Sequence, residues 1–145
     1  YGIWPLHLAE KATRLNINSV SCTNAATQYA AIAALDGPQD QVKEMINQFK
    51  KRRDLIVEKT NLIPGMSSQM PQGAFYTMPN ITKTKLTSRE METLLLEELK
   101  IATVAGTSFG EYGEGYIRFS YANSEANIND ALNLIHEYAV NNNWG

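Results

Sequence analysis

Apolar residues return at helical spacing through the first part of the chain, then give way to short alternating stretches punctuated by glycine and proline. Leu6, Leu8, Ala9, Ala12 and Leu15 mark one face of a first helix. Pro5 suits its opening turn, where a missing backbone N–H costs nothing. Asn16, Asn18, Ser19 and Ser21 predict its break. A second helix is expected from about Asn24 to Leu35, rich in alanine at 25, 26, 30, 31, 33 and 34, small enough to let another element approach closely. Asp36-Gly37-Pro38 reads as a stop followed by a start, with Gly37 as a left-handed cap and Pro38 opening the next helix. That third helix is expected to run to Leu62, with Val42, Met45, Ile46, Phe49 and Ile56 on one face. Lys50-Lys51-Arg52-Arg53 in its middle reads as a solvated face rather than a nucleic-acid patch.

From Pro64 the pattern changes. Pro64-Gly65 and Pro71-Gln72-Gly73 are turn signals, and Ala74 to Met78 reads as a strand. Thr87-Ser88-Arg89-Glu90 has the spacing of a capping box, opening a helix that turns Met91, Leu94 and Leu95 inward and ends near Leu99. Ile101 to Val104 reads as a short buried strand, and Gly106 to Gly115 as a loop. Tyr116 to Ala122 is the clearest strand, with Ile117, Phe119 and Tyr121 on one face and Tyr116, Arg118 and Ser120 on the other. Ser124 caps a last helix whose core face is Ile128, Ala131, Leu132, Ile135 and Ala139. The expected architecture is a small sheet covered on one face by the long third helix and the C-terminal helix, preceded by two helices. Periodicity leaves α/β and α+β both open.

Composition narrows the class. The 145 residues are 43% hydrophobic and 19% charged, as in a soluble globular domain and unlike a disordered, collagenous or coiled-coil chain. Thirteen basic against 15 acidic residues give a net charge of −2, with no basic excess for nucleic acid. No window approaches the ~20 apolar residues a membrane helix needs. One cysteine, Cys22, cannot form an internal disulfide; it suits a reducing compartment, the cytoplasm, and a small packing role. The opening Tyr1-Gly2-Ile3-Trp4-Pro5 reads as mid-protein sequence, so a piece of a longer chain is expected.

Most routes to chemistry are closed. His7 and His136 are far apart in sequence and neither has a second histidine or cysteine at helical spacing, so no metal site is expected. There is no dinucleotide fingerprint, phosphate loop or serine nucleophile elbow. Arg118 stands out, a guanidinium within an apolar and aromatic strand. Burying it unpaired would be prohibitive. Either it pairs with Glu111 or Glu114 from the preceding loop, or its planar fork receives the carboxylate or phosphate of a ligand.

Val104-Ala105-Gly106-Thr107-Ser108-Phe109-Gly110, followed by Gly115-Tyr116-Ile117-Arg118-Phe119-Ser120-Tyr121-Ala122, resembles the C-terminal signature of class I aminotransferases, pyridoxal-phosphate enzymes of the aspartate aminotransferase fold. Pro71 to Tyr76 resembles a second block of that family, and Ser21 to Leu35, with Gln28 in its alanine-rich helix, a third. The blocks keep family order and spacing over nearly the whole chain. One departure is Ala105, where the family usually has proline, which should loosen the loop slightly.

The resemblance implies a ping-pong transfer of an amino group between an amino acid and a 2-oxo acid, with Arg118 binding the α-carboxylate. It implies that Phe109 and Tyr76 lie near the substrate entrance or an interdomain hinge. It also implies a homodimer in which the segment Ser19 to Asn24, with Ser21 and Asn24, reaches the boundary and the neighbouring subunit's cofactor phosphate. Residues 1–37 would lead from a large cofactor-binding domain, and 38–145 would be the small domain. None of Lys11, Lys43, Lys50, Lys51, Lys59, Lys83, Lys85 and Lys100 has the serine-rich context of the family's cofactor lysine, which would precede Tyr1. The isolated chain is therefore expected neither to transaminate nor to hold pyridoxal phosphate covalently, to contain no catalytic residue, and to be prone to self-association. Two alternatives stand beside this: a sister lyase or synthase on the same scaffold, and a non-catalytic ligand-binding regulatory module.

Overall fold

A computed structural model of the chain describes residues 2–145. These form α1 (Leu6–Ser19), α2 (Ala25–Asp36), α3 (Asp40–Leu62), β1 (Tyr76–Thr77), α4 (Ser88–Glu97), β2 (Val104–Ala105), β3 (Ile117–Ser120) and α5 (Glu125–Asn141). The chain divides into two compact units, one ending at Gln41 and the other spanning Val42–Gly145.

In the first unit α1 runs through the expected break to Ser19. Asn18 donates its amide to the Arg14 carbonyl at 2.7 Å, so the polar run bonds along the helix instead of ending it. Pro5 sits just outside α1 as its N-cap. Asn24 caps α2 by accepting the Thr27 N–H at 2.9 Å. Gly37 is extended (φ −78°, ψ 175°), not left-handed, and α3 begins at Asp40 rather than Pro38. The reason is that the C-terminal carbonyls find donors another way. Gly37 N–H bonds Ala33, and the Gln39 side-chain amide reaches the carbonyls of Ala34 at 2.9 Å and Gly37 at 3.0 Å. Cys22 is exposed, so the packing role expected for it is not taken up.

The second unit is α+β. Its three strands form an antiparallel sheet in the order β1-β3-β2, with Tyr76 opposite Ser120, Thr77 opposite Phe119 and Val104 opposite Arg118. Ile117 and Phe119 turn inward from β3, onto Ile56 and Val57 of α3, Met91 and Leu95 of α4, and Ile128, Leu132, Ile135 and Ala139 of α5. Three helices thus line the core, α4 joining the two expected. Burying one such large side chain contributes about 1.5–3 kcal/mol. The apolar face of α3 is split: Val42, Met45 and Ile46 remain 43–54% exposed, whereas Ile56 is 3% exposed. Its basic run is not uniformly solvated, since Arg52 lies over the Phe49 ring and Arg53 pairs with Asp54 at 2.7 Å.

All three strands are shorter than expected, β3 spanning Ile117–Ser120 rather than Tyr116 to Ala122. Ala74 takes a positive φ of 65°, delaying β1 until Tyr76. Lys100 does the same at 60°, and Ile101 N–H returns to the Leu95 carbonyl at 2.8 Å, so the chain is still closing α4 where a strand was expected. The capping box at α4 is present, with Thr87 and Glu90 bonded reciprocally. No described helix is long and apolar enough to cross a membrane.

Candidate carboxylate-binding site

The alternation of β3 builds the site. Ile117 and Phe119 are buried on one side, so Arg118 between them emerges on the other, half-buried. Tyr76 faces Ser120 across the β1–β3 pair, which makes Tyr76 a diagonal neighbour of Arg118 on the same face. The Arg118 guanidinium carbon lies 5.6 Å from the Tyr76 ring centroid and 4.8 Å from that of Phe109. Phe75 meets the edge of Tyr76 at 5.6 Å between centroids. A guanidinium held by ring faces at these distances gains about 0.5–1 kcal/mol per contact near solvent. The rings restrain it while leaving its donors unspent.

An ion pair with Glu111 or Glu114 is the alternative that the sequence allows for Arg118. The structure makes neither: Glu114 accepts the Ser88 N–H at 2.9 Å, and Glu111 is exposed on the loop. Among the described residues no carboxylate or carbonyl engages Arg118. Arg118, Tyr76 and Phe109, named separately from the sequence, are brought together here. Ser21 and Asn24 belong to the first unit. There Ser21 takes a positive φ of 65°, and Asn24 Oδ1 is occupied by both the N–H and the hydroxyl of Thr27.

The loop before β3 folds into two short 3₁₀ turns, Gly106–Phe109 and Glu111–Gly113. Gly106 and Gly113 meet backbone to backbone: a Cβ on Gly106 would lie 2.1 Å from the Gly113 carbonyl oxygen, and one on Gly113 2.0 Å from that of Gly106. Ala105 does not leave this loop untethered, because its N–H donates to Glu92 Oε1 at 3.1 Å. A proline there could not make that bond.

Three contributors were missed in the sequence. The Tyr121 hydroxyl donates to the Ala74 carbonyl at 3.2 Å and its N–H to the Phe75 carbonyl at 2.8 Å, fixing the turn that delivers Tyr76. Burial raises the Tyr121 phenol above its ordinary value. Ser88 and Glu92 hold the loop from α4. Only Tyr121 had a sequence signal, since a tyrosine on the inward face of a strand must find a partner for its hydroxyl. No group of three or more His, Cys, Asp or Glu among the described residues could hold a metal ion.

The fold is shared with solved aminotransferases. The aromatic aminotransferase of Pyrococcus horikoshii OT3 superposes with a TM-score of 0.87 at 31% identity, covering 97% of this chain and 38% of that one. The aspartate aminotransferase of Rhizobium meliloti gives 0.84 at 33% identity, covering 95% and 36%. The chain belongs to the aminotransferase class I and II family, whose profile matches residues 7–135. Among curated relatives, the aspartate aminotransferase of Pyrococcus horikoshii is 33% identical, over 93% of this chain and 35% of its own length. Aromatic-amino-acid aminotransferase 2 of Thermococcus litoralis is 35% identical, over 88% and 33%. The chain spans about a third of the length of these relatives.

Proposed function

We propose that this chain is the substrate-carboxylate portion of an aminotransferase, in which Arg118 receives the α-carboxylate of the amino acid or 2-oxo acid. The observation that carries the reading is the Arg118 guanidinium, held by the rings of Phe109 and Tyr76 and engaged by no protein anion among the described residues. A planar fork meets a carboxylate through two parallel N–H···O bonds, and such a clamp fixes the orientation of Cα. Tyr76 and Phe109 border the space beside the clamp.

Pyridoxal phosphate, the cofactor of the family the chain resembles, does not fit on this chain's own lysines. A lysine that holds it covalently is desolvated and gives up its proton readily. Here Lys59 is half-buried but gives its ammonium to Asn133 at 2.7 Å, and the other seven of the eight lysines are exposed. The cofactor would be held by the remainder of a protein of the relatives' length, and the chain alone is inactive in transamination. In such a protein, residues 1–37 lead from the large domain into a small domain of residues 38–145. The assembly is a cytoplasmic homodimer, with Ser21 and Asn24 near the partner's cofactor phosphate.

The test uses a protein of the relatives' full length that carries this chain, loaded with pyridoxal phosphate. Its visible absorption should change on adding an amino acid and return on adding a 2-oxo acid. Arg118→Ala should raise the concentrations needed about ten- to a hundredfold, the value of charged hydrogen bonds to a carboxylate. An Arg118→Ala protein that titrates like the parent would remove the carboxylate assignment.

A further inference from the structure

Helix α4 grips both ends of the loop that carries Phe109. At the far end stands Ser88, which is fully buried. Its hydroxyl donates to the Gly113 carbonyl at 3.2 Å and accepts the N–H groups of Gly115 at 2.9 Å and Tyr116 at 3.2 Å. Its own N–H goes to Glu114 Oε1 at 2.9 Å. At the near end Glu92 takes the Ala105 N–H, its other oxygen being engaged by Arg89. Between the two tethers Gly106 and Gly113 interlock, so that movement at one turn is passed to the other.

A serine this close to a helix start is ordinarily explained as a cap. That explanation fails here, because Thr87 already fills the cap position with Glu90 as its reciprocal partner. A hydroxyl has one proton and two lone pairs, and all three from Ser88 are spent on a loop far along the chain. Nothing in the helix requires that arrangement. The loop requires it, since Gly115 N–H is buried and has this hydroxyl as its acceptor.

We propose that Ser88 is the positioning residue of the carboxylate site: it fixes the Gly106–Gly115 loop so that the Phe109 ring stays on the Arg118 guanidinium. Its consequence for binding rests on the reading of Arg118 given above, whereas its consequence for geometry does not. Ser88 touches no substrate and acts only through Phe109.

The experiment uses a protein of the relatives' full length that carries this chain, labelled with nitrogen-15 in arginine, and follows the Arg118 Nε–H resonance, which the Phe109 ring face shields. Phe109→Leu defines its unshielded position. Ser88→Ala should move the resonance towards that position and weaken binding of pyruvate about two- to fivefold, the value of one cation–π contact near solvent. Ile135→Val, a buried change on α5, should leave the resonance in place, which separates positioning from general loosening. If Ser88→Ala folds and the resonance stays where it was, the proposal is overturned. If Ser88→Ala does not fold, Glu92→Ala, which cuts the other tether, must move the resonance instead, and an unmoved signal then overturns it. Should the wild-type protein show the shielded resonance yet bind pyruvate no better than uncharged pyruvamide, the carboxylate reading fails and the positioning role of Ser88 stands.

Discussion

Helices α2 and α5 begin in the same way and end up in different circumstances. Asn24 accepts the Thr27 N–H and Ser124 accepts the Asn127 N–H, so each has an ordinary side-chain cap. Yet α2 buries none of its residues, while α5 buries Ile128, Leu132, Ile135 and Ala139. In α5 the buried apolar residues fall in one stripe with most of the asparagine, aspartate and glutamate elsewhere, although Leu134 and Val140 stay exposed. In α2 the alanines, Tyr29, Ile32 and Leu35 are distributed around the whole circumference. The cap decides where a helix starts; the stripe decides whether a core holds it. The first unit therefore rests on local backbone bonding, and the second on shared burial.

Substitution should expose that contrast most strongly in the cores themselves. Met91→Ala, at a fully buried position on α4, should cost about 2–5 kcal/mol in denaturant unfolding of the second unit. Leu15→Ala, at a position 73% exposed on α1, should change stability by no more than about 0.5 kcal/mol. Equal effects would mean that the two units are held alike. A smaller effect belongs to the glycine contact. Gly106→Ala should cost about 1–3 kcal/mol, because its methyl meets a carbonyl oxygen that cannot retreat. Gly73→Ala, where a Cβ meets nothing within 4 Å, should gain about 0.4–1 kcal/mol.

Tyr121 adds a pH dependence to the second unit. Tyr121→Phe removes one hydrogen bond and should cost about 0.5–1.5 kcal/mol near neutral pH. Burial favours the protonated phenol in the folded chain, so its contribution is complete below the ordinary phenol value of 10.0. Above that value the unfolded chain releases the proton first and stability declines. The Phe variant should lack this alkaline decline, and unfolding midpoints measured between neutral pH and about pH 11 would reveal whether it does.

Much of the second unit was legible from residue spacing. The alternation of Ile117, Phe119 and Tyr121 against Arg118 and Ser120, the capping box at Thr87 and the stripe of α5 each specify a local geometry that packing then reinforced. What escaped notice depends on contacts between residues distant in sequence. The Ser88 hydroxyl is satisfied by Gly113, Gly115 and Tyr116, and nothing local to Ser88 marks it out from a cap. The late starts of β1 and β2 follow from positive φ at Ala74 and Lys100, residues with no particular preference for it. Of the site, the arginine was visible as a charge out of place. The meeting of Phe109 with it depended on how a ten-residue loop folds, and that of Tyr76 on the β1–β3 pairing.

Strand β3 carries Arg118 between Ile117 and Phe119, and both of its ends are pinned. The Tyr116 carbonyl accepts the Gly106 N–H, and Tyr121 is bonded through its backbone N–H and its hydroxyl to Phe75 and Ala74. Its residues can be exchanged one at a time, but their number cannot. Deleting or inserting a single residue between Tyr116 and Tyr121 would turn the guanidinium into the hydrocarbon and two core side chains out to solvent. Length in this segment is thus under a stricter constraint than chemistry.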